Sequence, residues 1–124
     1  MSFQLESSAD SNTVTAYTND IIQINRQDYA HSVLISPTQI EVLDARALSD
    51  LDEVIWKKVI ATAPEVLLIG TGATHRFAPP AQLASLYQAN IGVECMNSQA
   101  AARTYNVLMN EGRKVLAIIL LTND

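Results

Sequence analysis

Residues 66–77 read VLLIGTGATHRF, a strand that breaks into a loop with two glycines. Val66 to Ile69 form a continuous apolar run, the pattern of a strand covered on both faces. Gly70-Thr71-Gly72 then stands where many phosphate-binding loops begin, so the stretch offers either a nucleotide site or a corner for close packing. A dinucleotide fingerprint needs G-x-G-x-x-G, a helix at the third glycine, and an acid closing the next strand. Here no third glycine follows before His75, the helix signal waits until Pro80, and the next strand ends near Met96 without an acid. A Walker lysine is missing too. The nucleotide reading fails.

Outward from this strand the pattern alternates. Before it, Ser49 is placed to cap a helix running to about Thr62, with Asp50, Asp52 and Glu53 near the N-terminal dipole. Leu51, Val54, Ile55 and Val59 recur at helical spacing and are expected to face a sheet, and Pro64 ends the helix. Trp56 falls at or beyond the margin of that stripe, as a core border residue or an exposed anchor. After the loop, Pro79-Pro80 opens a second helix with Leu83, Leu86 and Tyr87 as its inner stripe. IGVECM is the next strand. Asn97 or Ser98 caps a third helix with Ala101, Tyr105, Leu108 and Met109 inside, closed by Glu111-Gly112-Arg113, where Arg113 is expected to compensate Glu111. KVLAIILL is the last strand.

Upstream, the period is two. TVTAYT and IIQIN flank Asn19-Asp20, and SVLIS and QIEVLD flank Pro37-Thr38, giving four short strands paired antiparallel. The order of four strands followed by α-β-α-β-α-β calls for a largely parallel central sheet with helices on its faces. The early hairpins either extend one edge of that sheet or form a separate layer. Residues 1–124 thus read as one α/β domain, β-rich to residue 45 and alternating from residue 46.

A chain of 124 residues suits a single core. Its longest apolar run is too short to span a bilayer, and the N-terminal MSFQLESSADSN lacks the basic and apolar regions of a signal peptide. A lone cysteine fits a reducing compartment, so a cytoplasmic location is expected. Residues 1–65 hold ten acids and four bases, a net of −6, while residues 66–124 hold three and four, a net of +1. The acidic whole argues against duplex nucleic acid as a partner. No metal-ligand spacing surrounds His31 or His75. Cys95 with His75 offers a thiol and a base, yet no orienting third group, and a lone cysteine in a central strand reads as a small buried hydrophobe. No catalytic group and no cofactor are expected.

One candidate site remains. If the strands at 66–69 and 93–96 are parallel, their carboxyl ends share one sheet edge, where ligands of open α/β sheets bind. That edge gathers the Gly70-Thr71-Gly72 backbone, the helix start at Ser98, and Arg103 about a turn and a half in. Free N–H groups and a guanidinium describe an anion pocket. The competing reading has both glycines permitting close packing while Arg103 pairs with a carboxylate such as Glu94.

VLLIGTG, the proline-led helix, and NIGVECMNSQAAARTYNVLMNEGRKVLAIIL together carry a resemblance. The most specific part falls on Gly92, Glu94, Met96, Ala101, Thr104, Tyr105, Asn106, Leu108, Glu111, Gly112 and Arg113. The chain resembles a small bacterial and archaeal domain of unknown function that is also present in mitochondrial NADH dehydrogenase (complex I) assembly factor three. The resemblance implies a three-layer fold on a mixed central sheet, with no established activity and no cofactor. It implies a protein partner of the class of respiratory complex subunits or assembly factors, and peripheral membrane association without a spanning helix. It also draws Thr71, Arg103, Thr104 and Asn106 into the candidate site. QIEVLDARALSDL departs from the pattern, lacking a tryptophan that many relatives carry there.

Overall fold

The computed structural model describes residues 11–122. The N-terminal stretch read as lacking a signal peptide, residues 1–12, lies outside them up to residue 10. Eight strands and three helices form a mixed α/β domain: β1 Val14–Tyr17, β2 Ile22–Ile24, β3 Gln27–Tyr29, β4 Ser32–Ile35, β5 Ile40–Leu43, α1 Glu53–Thr62, β6 Val66–Gly70, α2 Ala84–Gln88, β7 Gly92–Met96, α3 Ser98–Asn110 and β8 Val115–Ile119. Short 3-10 turns at Leu48–Asp50 and Pro80–Leu83 precede α1 and α2.

The central sheet runs β5-β4-β8-β6-β7. Its β6 pairs parallel with both β7 and β8, while β4 pairs antiparallel with β5 and β8. The sheet is therefore mixed, and both alternatives for the early strands are realised. The β4–β5 hairpin extends one edge, and β1-β2-β3 forms a separate antiparallel sheet. Gln27–Tyr29 is a strand that the residues did not announce, being short, polar and largely exposed.

Period-two alternation divides the core. One face of β4, β6 and β8 supplies Val33, Ile35, Leu68, Ala117 and Ile119 to a cluster with α3 and the small sheet, through Ala101, Tyr105, Val14, Ile22 and Ile24. The other face supplies Leu34, Leu67, Ile69, Leu116 and Ile118 to a cluster with Trp56 and Val59 of α1 and Leu83 and Leu86 near α2. Three layers result.

The helices correct several expectations. Asp52, not Ser49, caps α1, its carboxylate accepting from the N–H groups of Val54 and Ile55. Ser49 lies instead in the preceding 3-10 turn, where the Asp50 carboxylate accepts from the N–H groups of Arg46 and Ala47. Val54 points to solvent, and Trp56 is core, 1% exposed. The indole needs a polar partner once buried, and its Nε1 donates to Gln82 O at 2.9 Å. Gln82 Nε2 in turn donates to Leu48 O and Leu51 O, tying the approach to α1 onto the approach to α2. Tyr87, expected inside, is 51% exposed. Arg113 pairs with Glu65 at 3.5 Å rather than with Glu111, and Glu65 also accepts from Lys114 N–H.

Truncating Trp56 removes a fully buried indole and orphans a carbonyl. Trp56→Ala is expected to cost about 3–5 kcal/mol in urea unfolding, with Trp56→Phe losing markedly less. The Lys114 N–H holds the Glu65 carboxyl below the usual carboxylate range, helped by Arg113. A depressed carboxylate stabilises the fold above its unfolded pKa and loses that effect as pH falls through its folded one. Unfolding midpoints measured below about pH 4 should therefore decline less steeply in Glu65→Gln than in the wild type.

Candidate functional site

The parallel pairing of β6 and β7 brings Gly70, Thr71 and Gly72 beside the start of α3. Asn97 caps that helix, its side chain accepting from Ala100 N–H at 2.8 Å, which turns the Ser98 side chain inward. Ser98 is fully buried. Its Oγ accepts from Gly72 N–H at 2.9 Å and donates to Leu120 O at 2.6 Å, while its own N–H donates to Gly72 O at 2.8 Å. Leu120 N–H donates to Gly70 O at 3.0 Å, and Thr71 N–H to Met96 O at 2.8 Å. Thr71 Oγ1 donates to Thr74 O at 2.7 Å and accepts from Arg76 N–H at 3.0 Å.

The knot leaves no room for side chains at its glycines. A Cβ on Gly70 would lie 2.8 Å from both Ser98 Cα and Ser98 Oγ. Gly72 has φ +108°, and a Cβ there would lie 2.0 Å from Thr122 Oγ1. The N–H groups of Thr71, Gly72 and Ser98 are thus spent on the protein's own carbonyls and hydroxyl.

The other named residues sit apart from this knot. Asn106 clasps β1: its Oδ1 accepts from Val14 N–H at 3.0 Å and its Nδ2 donates to Val14 O at 2.8 Å, as a neighbouring strand would. Tyr105 OH donates to Asn12 O at 2.8 Å, and burial pushes this phenol up. Thr104 Oγ1 lies 3.6 Å from Met96 Sδ. Arg103 is exposed and lines a cleft of about 200 Å³ with Gln99, Asn106 and Val14–Tyr17. Among the described residues it makes no ion pair, so the expected partnership with Glu94 is not formed. At the cleft, Tyr17 OH is a buried hydroxyl without a hydrogen-bond partner among the described residues. Burial pushes its phenol up, and the nearby Ser98 hydroxyl opposes this without reaching hydrogen-bond geometry.

Cys95 lies on an edge strand rather than a central one. Burial pushes its thiol up, with the Ala78 N–H opposing, which keeps it a thiol at neutral pH. The His75 ring packs instead on Phe77, with centroids 4.4 Å apart. Among the described residues, no group of three or more His, Cys, Asp or Glu is arranged to hold a metal ion. Sequence reasoning missed the grip of Tyr105 and Asn106 on the N-terminal strand. The polar Asn106 beside an apolar helical stripe was its one local signal.

Ser98→Ala would orphan the Gly72 N–H in a buried setting, at a cost of about 1–3 kcal/mol. Gly70→Ala forces α3 away from β6 and should lose about 1–3 kcal/mol by overpacking. Urea unfolding of both variants checks this, and smaller losses than Thr104→Ala would contradict a buried brace.

Residues 14–120 match the family model described as "Protein of unknown function (DUF498/DUF598)". A "13 kDa major membrane protein" of Francisella tularensis subsp. holarctica (strain LVS) is 36% identical over 101 residues, which span 78% of this chain and 80% of that protein. The crystal structure of a Bordetella parapertussis protein is similar with a TM-score of 0.83 and 37% identity, over 90% of this chain and 96% of that one. A crystal structure described as an outer membrane protein from Bartonella henselae is similar with a TM-score of 0.81 and 28% identity, over 93% and 98% of the two chains. Among the described residues, no helix is long and apolar enough to cross a membrane. With the family model spanning β1 to the end of β8, the chain belongs to the family of proteins of unknown function DUF498/DUF598.

Proposed function

We propose that the protein is a non-enzymatic protein-binding module, akin to the respiratory complex I assembly factors it resembles. One observation carries this reading over a small-ligand site: the glycine-loop donors that would cradle an anion are consumed inside the knot, whereas Arg103 on α3 is exposed and, among the described residues, unpaired. An unpaired guanidinium on a rigid helix suits recognition of a carboxylate on a partner surface. In this reading Gly70, Thr71, Gly72 and Ser98 form the rigid base, Thr104 and Asn106 hold α3 against β7 and β1, and Arg103 makes the contact.

The proposed setting is the cytoplasm, with peripheral association to a membrane through the partner. The name of the Francisella relative, a membrane protein, supports that association.

Arg103 is exposed and makes no ion pair among the described residues, so Arg103→Ala should leave the thermal midpoint within about 2 °C while abolishing capture of the partner from the protein's own cells. Mass spectrometry of wild-type and variant captures checks this. Equal retention of specific proteins by both would contradict the reading, as would loss of folding together with binding.

A further inference from the structure

β7 closes one side of the central sheet, and among the described residues no strand pairs with its outer edge. Gly92 N–H donates to Glu65 O at 3.3 Å and Met96 O accepts from Thr71 N–H at 2.8 Å, so the even-numbered residues of β7 turn their backbone toward β6. In a parallel ladder the alternate residues then turn theirs the other way. The N–H and C=O groups of Val93 and Cys95 therefore face outward, and among the described residues no backbone hydrogen bond outside the ladders uses them. The pairing with β6 is regular from Gly92 to Met96, and the strand carries neither Lys nor Pro. On the opposite edge, by contrast, β5 is guarded by the Glu41–Lys58 ion pair.

The side chains of β7 specify what the edge takes. Val93 and Cys95 pack half-buried on the α1–α2 side of the sheet, and Met96 packs on the α3 side. Glu94 shares the parity of Met96, is exposed, and makes no ion pair among the described residues. It is also the only acidic residue between Glu65 and Glu111. A second copy of the chain pairing antiparallel in the register Val93 to Cys95 would set Glu94 against Glu94, with Cα atoms about 4.5 Å apart. Like charges directly opposite oppose such a pairing. A strand with a cation at that position meets no such repulsion and gains the complementary charge.

We propose that the outer edge of β7 accepts an extended segment of a protein partner as a sixth strand, with a Lys or Arg beside Glu94 flanked by apolar residues beside Val93 and Cys95. The pattern apolar-basic-apolar follows from the alternation of the two faces. This deepens the protein-binding reading and rests on it, while using a surface other than Arg103.

The test uses the 15N-labelled full chain and two synthetic peptides, acetyl-Thr-Val-Lys-Val-Thr-amide and its counterpart with Glu in place of Lys. At millimolar concentration the Lys peptide is expected to shift the Val93, Glu94 and Cys95 amides. It should also slow hydrogen exchange at Val93 and Cys95 at least tenfold more than the Glu peptide does. Glu94→Lys should reverse that preference. Equal effects of the two peptides, or no protection of the two amides by either, would overturn the proposal. So would protection of these amides without peptide, accompanied by a concentration-dependent dimer in sedimentation, which would make the occupant a second copy. Arg103→Ala should leave the peptide response intact, so loss of partner capture in that variant is read separately.

Discussion

The Ser98 hydroxyl joins three elements at one buried point. By accepting from Gly72 N–H and donating to Leu120 O, it fastens the end of β6 and the chain beyond β8 to the first turn of α3. A longer side chain at Gly70 would force that turn outward, because Ser98 Cα already sits where the added carbon would go. The depth at which α3 lies on the sheet follows from this contact. That depth places Ala101 and Tyr105 in the core and presents Asn106 to β1. A strand-to-helix loop of this kind is often where an α/β sheet binds its ligand. Here its hydrogen-bonding capacity is turned inward.

Spending the loop on structure moves the case for function to the surface. Among the described residues, the sheet offers one edge strand tied to α1 by the Glu41–Lys58 ion pair and one unpaired edge at β7, and α3 offers an arginine without an ion pair. The acidic residues are concentrated in the first half of the chain, so Glu94 and Arg103 stand in a stretch with little other charge. Isolated charges on rigid elements select partners by complementarity more than they add affinity. The fold itself is held by two apolar layers that leave these residues outside.

The sequence made the interior strands legible because β6 and β8 are continuous apolar runs, and only a strand covered on both faces tolerates such a run. Their alternation with helical patterns was enough for the layered architecture. What stayed hidden was non-local. β3 is polar, and the turn leading into it is made by Asn25 and Arg26, both at positive φ, instead of the Asn-Gly that would have marked it. Trp56 reaches the core because a carbonyl of Gln82, 26 residues away, satisfies its indole. Ser49 loses the capping role expected of it because Asp50 draws Arg46 and Ala47 into a 3-10 turn and leaves Asp52 to start the helix. At the candidate site, strand order alone places Gly70, Thr71, Gly72 and Ser98 side by side. Whether their polar groups faced a ligand or one another depended on Leu120 and Met96, which no local pattern connects to the loop.

The glycine loop acts as an internal brace, with its N–H donors closed to an anion. Titrating inorganic phosphate, a nucleotide and acetate to millimolar concentration into 15N-labelled protein tests it most directly, by following the amides of Thr71, Gly72 and Ser98. These three amides are expected to stay in place and to exchange slowly throughout. Saturable shifts at all three would show donors available to an anion and would contradict it.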